Sequence, residues 1–180
     1  MLRITIPSTE LWDEAKQEFI YTNSQDLQLE HSLVSLSKWE SRWNKPFLTK
    51  SEKTLEETID YVKCMTLTQN VNPKVYNYLT NGNINEINRY IELPMSATRF
   101  FEEKKSSGNK EQITSELIYY WMIALNIPFE CQKWHLNRLF ALIKVCDVKS
   151  KPPKKYSRRE IIKRNAALNA ARRKQWNTKG

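Results

Sequence analysis

The sequence predicts a mainly α fold: a helical bundle around a C-terminal helical hairpin, with a short N-terminal β-hairpin and a basic helical C-terminal arm. Three observations predict it. Apolar residues recur at helical spacing from about Leu29 to Cys146. Capping residues and prolines punctuate that run. The positive charge is gathered at one end: residues 149–180 hold 12 Lys or Arg against one acid, Glu160, whereas residues 1–148 hold 17 bases and 19 acids. The chain therefore reads as a helical domain over 1–148, at net −2, followed by a basic arm over 149–180, at net +11. A folded body of that length buries about 70% of its unfolded surface, so it needs no disulfide or metal staple.

Residues 1–7 alternate, with Leu2, Ile4 and Ile6 on one side, and stop at Pro7. That pattern is a short strand, and a weaker strand around Phe19 to Thr22 can pair with it as a hairpin. From about Leu29 the period becomes helical. Leu29, Leu33, Leu36 and Trp43 share a face with Trp39, and Pro46 ends the segment. Thr54 and Glu57 have capping-box spacing and start a helix whose apolar face is Leu55, Ile59, Val62 and Met65. Asn72 and Pro73 suit an N-cap and first helical position, for a short helix through Leu79. TNGN (80–83) reads as a turn, and Ile84, Ile87 and Ile91 as a short helix ended by Pro94.

EEKKSSGNK (102–110) reads as a mobile polar loop. The helical hairpin follows. Its first arm, Ile113 to Leu125, is apolar nearly all round and should be the central buried helix. Asn126 to Pro128 breaks the chain, and the second arm, from Phe129 to about Val145, carries Leu136, Leu139, Ile143 and Cys146 on one face. After a Pro-Lys linker, Ser157 and Glu160 repeat the capping-box spacing. The stretch Arg158 to Gln175 is rich in Ala, Arg and Lys, all strong helix formers, but thin in apolar residues. A helix of that kind forms fully only against a partner or its own body.

Few residues suggest chemistry. Three glycines exclude a phosphate-binding loop or a dinucleotide fingerprint. His135 lies four residues after Cys131, so a metal would need Cys146 or a carboxylate to complete the set; a buried thiol beside a half-exposed histidine is the simpler reading. His31 or His135 could serve a cysteine nucleophile, but neither stands in a nucleophile context. Catalysis, metal and cofactor are not expected. The three cysteines are sparse and the N-terminal residues lack an apolar stretch after a basic start, which suits a reducing cytoplasm rather than secretion. No run reaches the length of a membrane span.

Two features suggest binding. Trp39 and Trp43, alternating with charges in SKWESRW, are either a core stripe continuing Leu33 and Leu36 or an aromatic contact for a partner. The arm offers Lys154, Lys155, Arg158, Arg159, Lys163, Arg164, Arg172, Arg173 and Lys174 to a partner or to phosphate. With only Tyr156 and Trp176 as aromatics, base stacking is not suggested, whereas contacts to phosphate or carboxylate are.

The strings HSLVSLSKWESRWNKPFL, ETIDYVKCMT, ITSELIYYWMIALNIPFECQKWHLNRL and RRKQWNTKG, following RNAALNAAR, resemble small tail-module proteins of tailed bacteriophages (siphophages) described as tail assembly chaperones. The likeness runs from about His31 to Gly180. It implies a non-catalytic helper in the host cytoplasm that binds phage tail proteins, above all the tape-measure protein, and leaves as the tube polymerises. A structural virion protein of the tail or head–tail region, and a phage nucleic-acid-binding protein acting through the arm, are the alternatives.

Overall fold

The computed structural model describes residues 1–13, 17–49, 51–98, 100, 112–151 and 157–177. The chain separates into two compact units, Met1–Val148 and Lys149–Gly180. The first is mainly helical with a short antiparallel hairpin at its N-terminus. The expected mobile loop at 102–110 lies outside the described residues.

β1 (Leu2–Ile6) pairs antiparallel with β4 (Gln25–Leu29), and β2 (Thr9–Asp13) with β3 (Glu18–Thr22). The strand expected around Phe19 to Thr22 is thus present, but its partner is β2 and not β1. Leu2 faces Leu29 and Thr9 faces Thr22, so the register runs unbroken through the gap and the four strands form one long, interrupted hairpin. Pro7 sits in the gap and has no N–H for the ladder, which explains the interruption. Ile4, Ile6, Leu27 and Leu29 point into the core, as the period-two pattern requires. Leu29 is therefore a strand residue, and the helix expected from that point begins later. Beyond β4 the sheet gains a short third member: Leu67 N–H donates to the Gln28 carbonyl at 2.8 Å, and Glu30 N–H to that of Met65 at 2.9 Å.

The first helix, α1 (Leu33–Trp43), opens on a capping box between Ser32 and Ser35 and closes at Asn44, whose φ of 49° is left-handed. Asparagine fills the same role after α4 (Ser115–Ala124), at Asn126, and after α6 (Arg158–Trp176), at Asn177. Asparagine supplies four of the six non-glycine residues at positive φ among the described residues, beside Gln17 and Met95. Leu33, Leu36 and Trp39 of α1 are buried against α2 (Leu55–Met65), α4 and the short 3-10 turn Phe129–Lys133. Each buried leucine contributes roughly 1.5–3 kcal/mol of apolar burial.

α2 starts on the expected box, with Thr54 N–H donating to Glu57 Oε2 at 2.9 Å and Glu57 N–H to Thr54 Oγ1 at 3.2 Å. Its buried residues are Glu57, Tyr61, Val62, Cys64 and Met65; Leu55, expected on the apolar face, is exposed at the first turn. Asn72 caps the 3-10 turn Pro73–Tyr78 by accepting from Lys74 N–H. TNGN is not a separate turn: Thr80 and Asn83 form a capping box, and α3 (Asn81–Glu92) begins inside it. Asn83 then donates to the Thr5 carbonyl of β1 at 3.2 Å.

The helical pair expected over 113–146 is present as α4 and α5 (Leu136–Ser150), with the 3-10 turn Phe129–Lys133 between them. Ile118 and Met122 of α4, and Leu136, Leu139 and Ile143 of α5, join the same core as α1. α4 is not buried all round, however. Only Ser115, Ile118 and Met122 are buried. α1 holds the central position instead. It receives α4 through Glu40, a buried carboxylate whose Oε1 accepts Phe47 N–H at 2.8 Å and whose Oε2 accepts Ser115 N–H at 2.7 Å.

Candidate functional site

The two tryptophans of SKWESRW lie in the interface between α1 and α2. Trp39 is 1% exposed and its Nε1–H donates to the Glu57 carbonyl at 2.9 Å. Trp43 stacks on it at 6.1 Å and donates to Asp60 Oδ2 at 3.1 Å, while Arg42 pairs with the other oxygen of Asp60 at 2.8 Å. Lys45 completes the clasp on Glu57 Oε1 at 2.6 Å. The core reading holds for Trp39, which leaves no surface for a partner; Trp43 is half-buried, and both indoles donate to α2. Of the charges that alternate with them, Arg42 and Glu40 help to seat the helix, through Asp60 and through the Phe47 and Ser115 amides.

The histidines form a second internal cluster. His31 is 2% exposed and its Nδ1 lies 2.6 Å from the Tyr61 hydroxyl. The rings of His31 and His135 meet edge to face at 5.1 Å. His135 Nε2 lies 3.1 Å from the Tyr90 carbonyl, and Asn137 N–H donates to its Nδ1 at 3.2 Å, which places the proton on Nε2. Tyr90 in turn donates to Glu30 Oε1 at 2.8 Å. Burial, reinforced by the neighbouring His135, pushes His31 down to about 3; burial also lowers His135. Among the described residues, no three His, Cys, Asp or Glu stand together as a metal set would require. Burial raises the Cys64 thiol, so it is not an activated nucleophile.

This cluster sets an acid response. Below the ordinary histidine value near 6.5 the unfolded chain takes protons that the folded chain refuses. Stability is therefore fully present above that value and falls as pH drops through the window down to about 3, by up to ~1.4 kcal/mol per pH unit for His31. Urea midpoints measured stepwise from pH 7 to 4.5 test this. His31→Gln should flatten the slope, and an unchanged slope would place the acid sensitivity elsewhere.

The arm presents its residues differently. α6 opens on the Ser157 capping box, with Ser157 N–H donating to Glu160 Oε2 at 2.8 Å, and closes on Asn177. All of its residues are exposed. Arg158, Arg159, Lys163 and Arg164 form one basic end and Arg172, Arg173 and Lys174 the other. Lys154 and Lys155 lie outside the described residues. Between the basic ends run Asn165, Ala166, Ala167, Leu168, Asn169, Ala170 and Ala171.

A third surface escaped the sequence reading. On α4, Tyr120 is 63% and Ile123 61% exposed, and Phe129 just beyond is 52% exposed. Phe129 lies 6.3 Å from Tyr119. Apolar composition all round hides which face is outside, but one signal was available. Glu116, the sole charged residue between 115 and 125, shares its face with Tyr120 and Ile123 at four and seven residues' spacing. No family model, no curated protein and no solved structure matches this chain in comparisons with known proteins.

Proposed function

We propose that this chain is a non-catalytic tail assembly chaperone of a tailed bacteriophage, acting in the host cytoplasm by holding an apolar helical segment of the tape-measure protein. The observation that carries the reading is the exposed α4 face, with Tyr120 and Ile123 three residues apart on one helix beside a well-buried core. Aromatic and aliphatic side chains grouped on a rigid helix are the anchors of helix-binding surfaces. The resemblance of residues from about His31 onward to tail-module proteins supports the same reading.

Co-expression with the tape-measure protein tests it. The wild type should keep that partner soluble and co-purify with it, whereas Tyr120→Ser with Ile123→Asp should lose both. The melting temperature should change little, because the two side chains are exposed. An unchanged yield of soluble partner would overturn the reading. Abundant copies of the chain in finished particles would overturn it in favour of a structural virion component.

A further inference from the structure

The seven cations of α6 stand on every side of the helix. At 3.6 residues per turn, Arg158 and Arg172 fall on one side, Arg159 and Arg173 on a second, Lys163 and Lys174 on a third, and Arg164 on a fourth. A helix that lies on a flat acidic protein surface needs its cations on one side. A helix that lies on a bilayer needs an apolar side opposite them. Here every orientation on a flat surface turns some of the cations away from it, and the side that carries Ile161, Ile162, Leu168 and Trp176 also carries Arg158 and Arg172, so it is not an apolar side free of charge. Cations all round match anionic walls on several sides. A helix seated in the groove of a nucleic-acid duplex, with phosphates flanking it, meets that environment.

The middle of the helix has a second, independent pattern. Asn165 and Asn169 lie four residues apart on the side of Arg158, and Glu160, the one acid of the arm, lies on the opposite side. Ala166, Ala167, Ala170 and Ala171 keep this stretch slim. The major groove of B-form DNA is ~12 Å wide and admits a helix, and asparagine matches the edge of adenine there.

The geometry points to α6 as a duplex-DNA-binding helix that enters the major groove. Its Asn165–Asn169 side faces the base edges, Arg159 and Arg173 meet the phosphates of one wall, and Arg164 and Arg172 meet those of the other. Glu160 then faces away from the DNA, where it caps the helix through Ser157. The inference is independent of the α4 reading, since it concerns other residues and another class of partner.

Fluorescence anisotropy of the full chain with a short labelled DNA duplex of mixed sequence tests it. With four phosphate contacts, affinity should fall roughly 10²-fold between about 50 and 200 mM salt. Replacing Arg172 and Arg173 together by alanine should lower the log–log salt slope by about 2, at about 0.9 per phosphate contact. Alanine is the best helix former, so circular dichroism should show helix content retained. Asn165→Ala with Asn169→Ala should weaken binding about tenfold with the salt slope unchanged. Equal affinity for single-stranded DNA would overturn the groove assignment. Competition by a polyglutamate peptide at equal charge, as effective as that by the duplex, would overturn it in favour of an acidic protein partner.

Discussion

Trp39→Ala is expected to destabilise the Met1–Val148 unit by about 4 kcal/mol, a large share of the ~5–15 kcal/mol that holds a typical domain together. The indole is 1% exposed, so removing it takes apolar area out of the core and leaves a cavity behind. Its surroundings are poorly placed to collapse into that space. Phe47 packs edge-on at 5.1 Å and Tyr61 at 6.5 Å, and Phe47 itself stacks on Tyr61 at 3.8 Å. Shifting any one of these rings breaks its packing with the others. The hydrogen bond from Nε1 to the Glu57 carbonyl is lost as well, at a net cost of about 1 kcal/mol. Trp39→Phe separates the two contributions, because it keeps most of the ring and removes the donor; it should cost about 1–2 kcal/mol. Urea unfolding followed by circular dichroism measures both. A Trp39→Ala penalty near 1 kcal/mol would mean that the indole is not a core residue.

Glu40→Ala is expected to cost about 3–5 kcal/mol, through a different mechanism. The carboxylate is buried and accepts two backbone N–H groups, from Phe47 at 2.8 Å and Ser115 at 2.7 Å. Each N–H left buried without an acceptor costs about 1–3 kcal/mol. The Ser115 N–H belongs to the first turn of α4, where four amides lack intrahelical partners and the helix dipole favours negative charge. Removing the carboxylate therefore leaves a first-turn amide of α4 unpaired, although Thr114 still caps the helix, and frees the Phe47 amide in the same step. Glu40→Gln should recover part of the loss, since its single carbonyl can accept one of the two amides while its NH₂ opposes the other. Hydrogen exchange at Phe47 and Ser115 locates the effect: both amides should lose protection together in Glu40→Ala, and protection retained at both would show that the bridge does not hold them.

The comparison of sequence and structure divides by distance along the chain. Starts of helices were legible, because a cap involves residues three apart: Ser157 with Glu160 and Thr54 with Glu57 formed as their spacing required. Thr80 with Asn83 formed a box too, but the glycine and asparagines of TNGN masked it as a turn. The pairing of β1 was not legible, since Pro7 allows the hairpin to resume on its far side and so gives β1 a more distant partner than the nearest strand. Glu40 sits between charged neighbours and looks like a solvated helix residue; its role depends on Ser115, 75 residues away. The same limit applies to the two functional surfaces. The charge of the arm was plain from composition, and its distribution around the helix follows from the helical start at Ser157. The α4 face depended on which side α1 covers, and nothing within residues 115–124 decides that except Glu116.

The joint between His31 and Leu136 has a consequence for how the protein is made. Leu136 N–H donates to the His31 carbonyl at 2.7 Å, and Ser32 bridges to His135 beside it, so the start of α1 and the start of α5 are held together. On a ribosome these two points are separated in time. At ~5–20 residues per second, roughly 5–20 s pass between the synthesis of one and of the other. Through that interval Leu33, Leu36 and Trp39 have α2 for cover but lack α4 and α5, and the nascent chain displays an unfinished core. Slow codons between α2 and α5 should lengthen that exposure and lower the soluble yield.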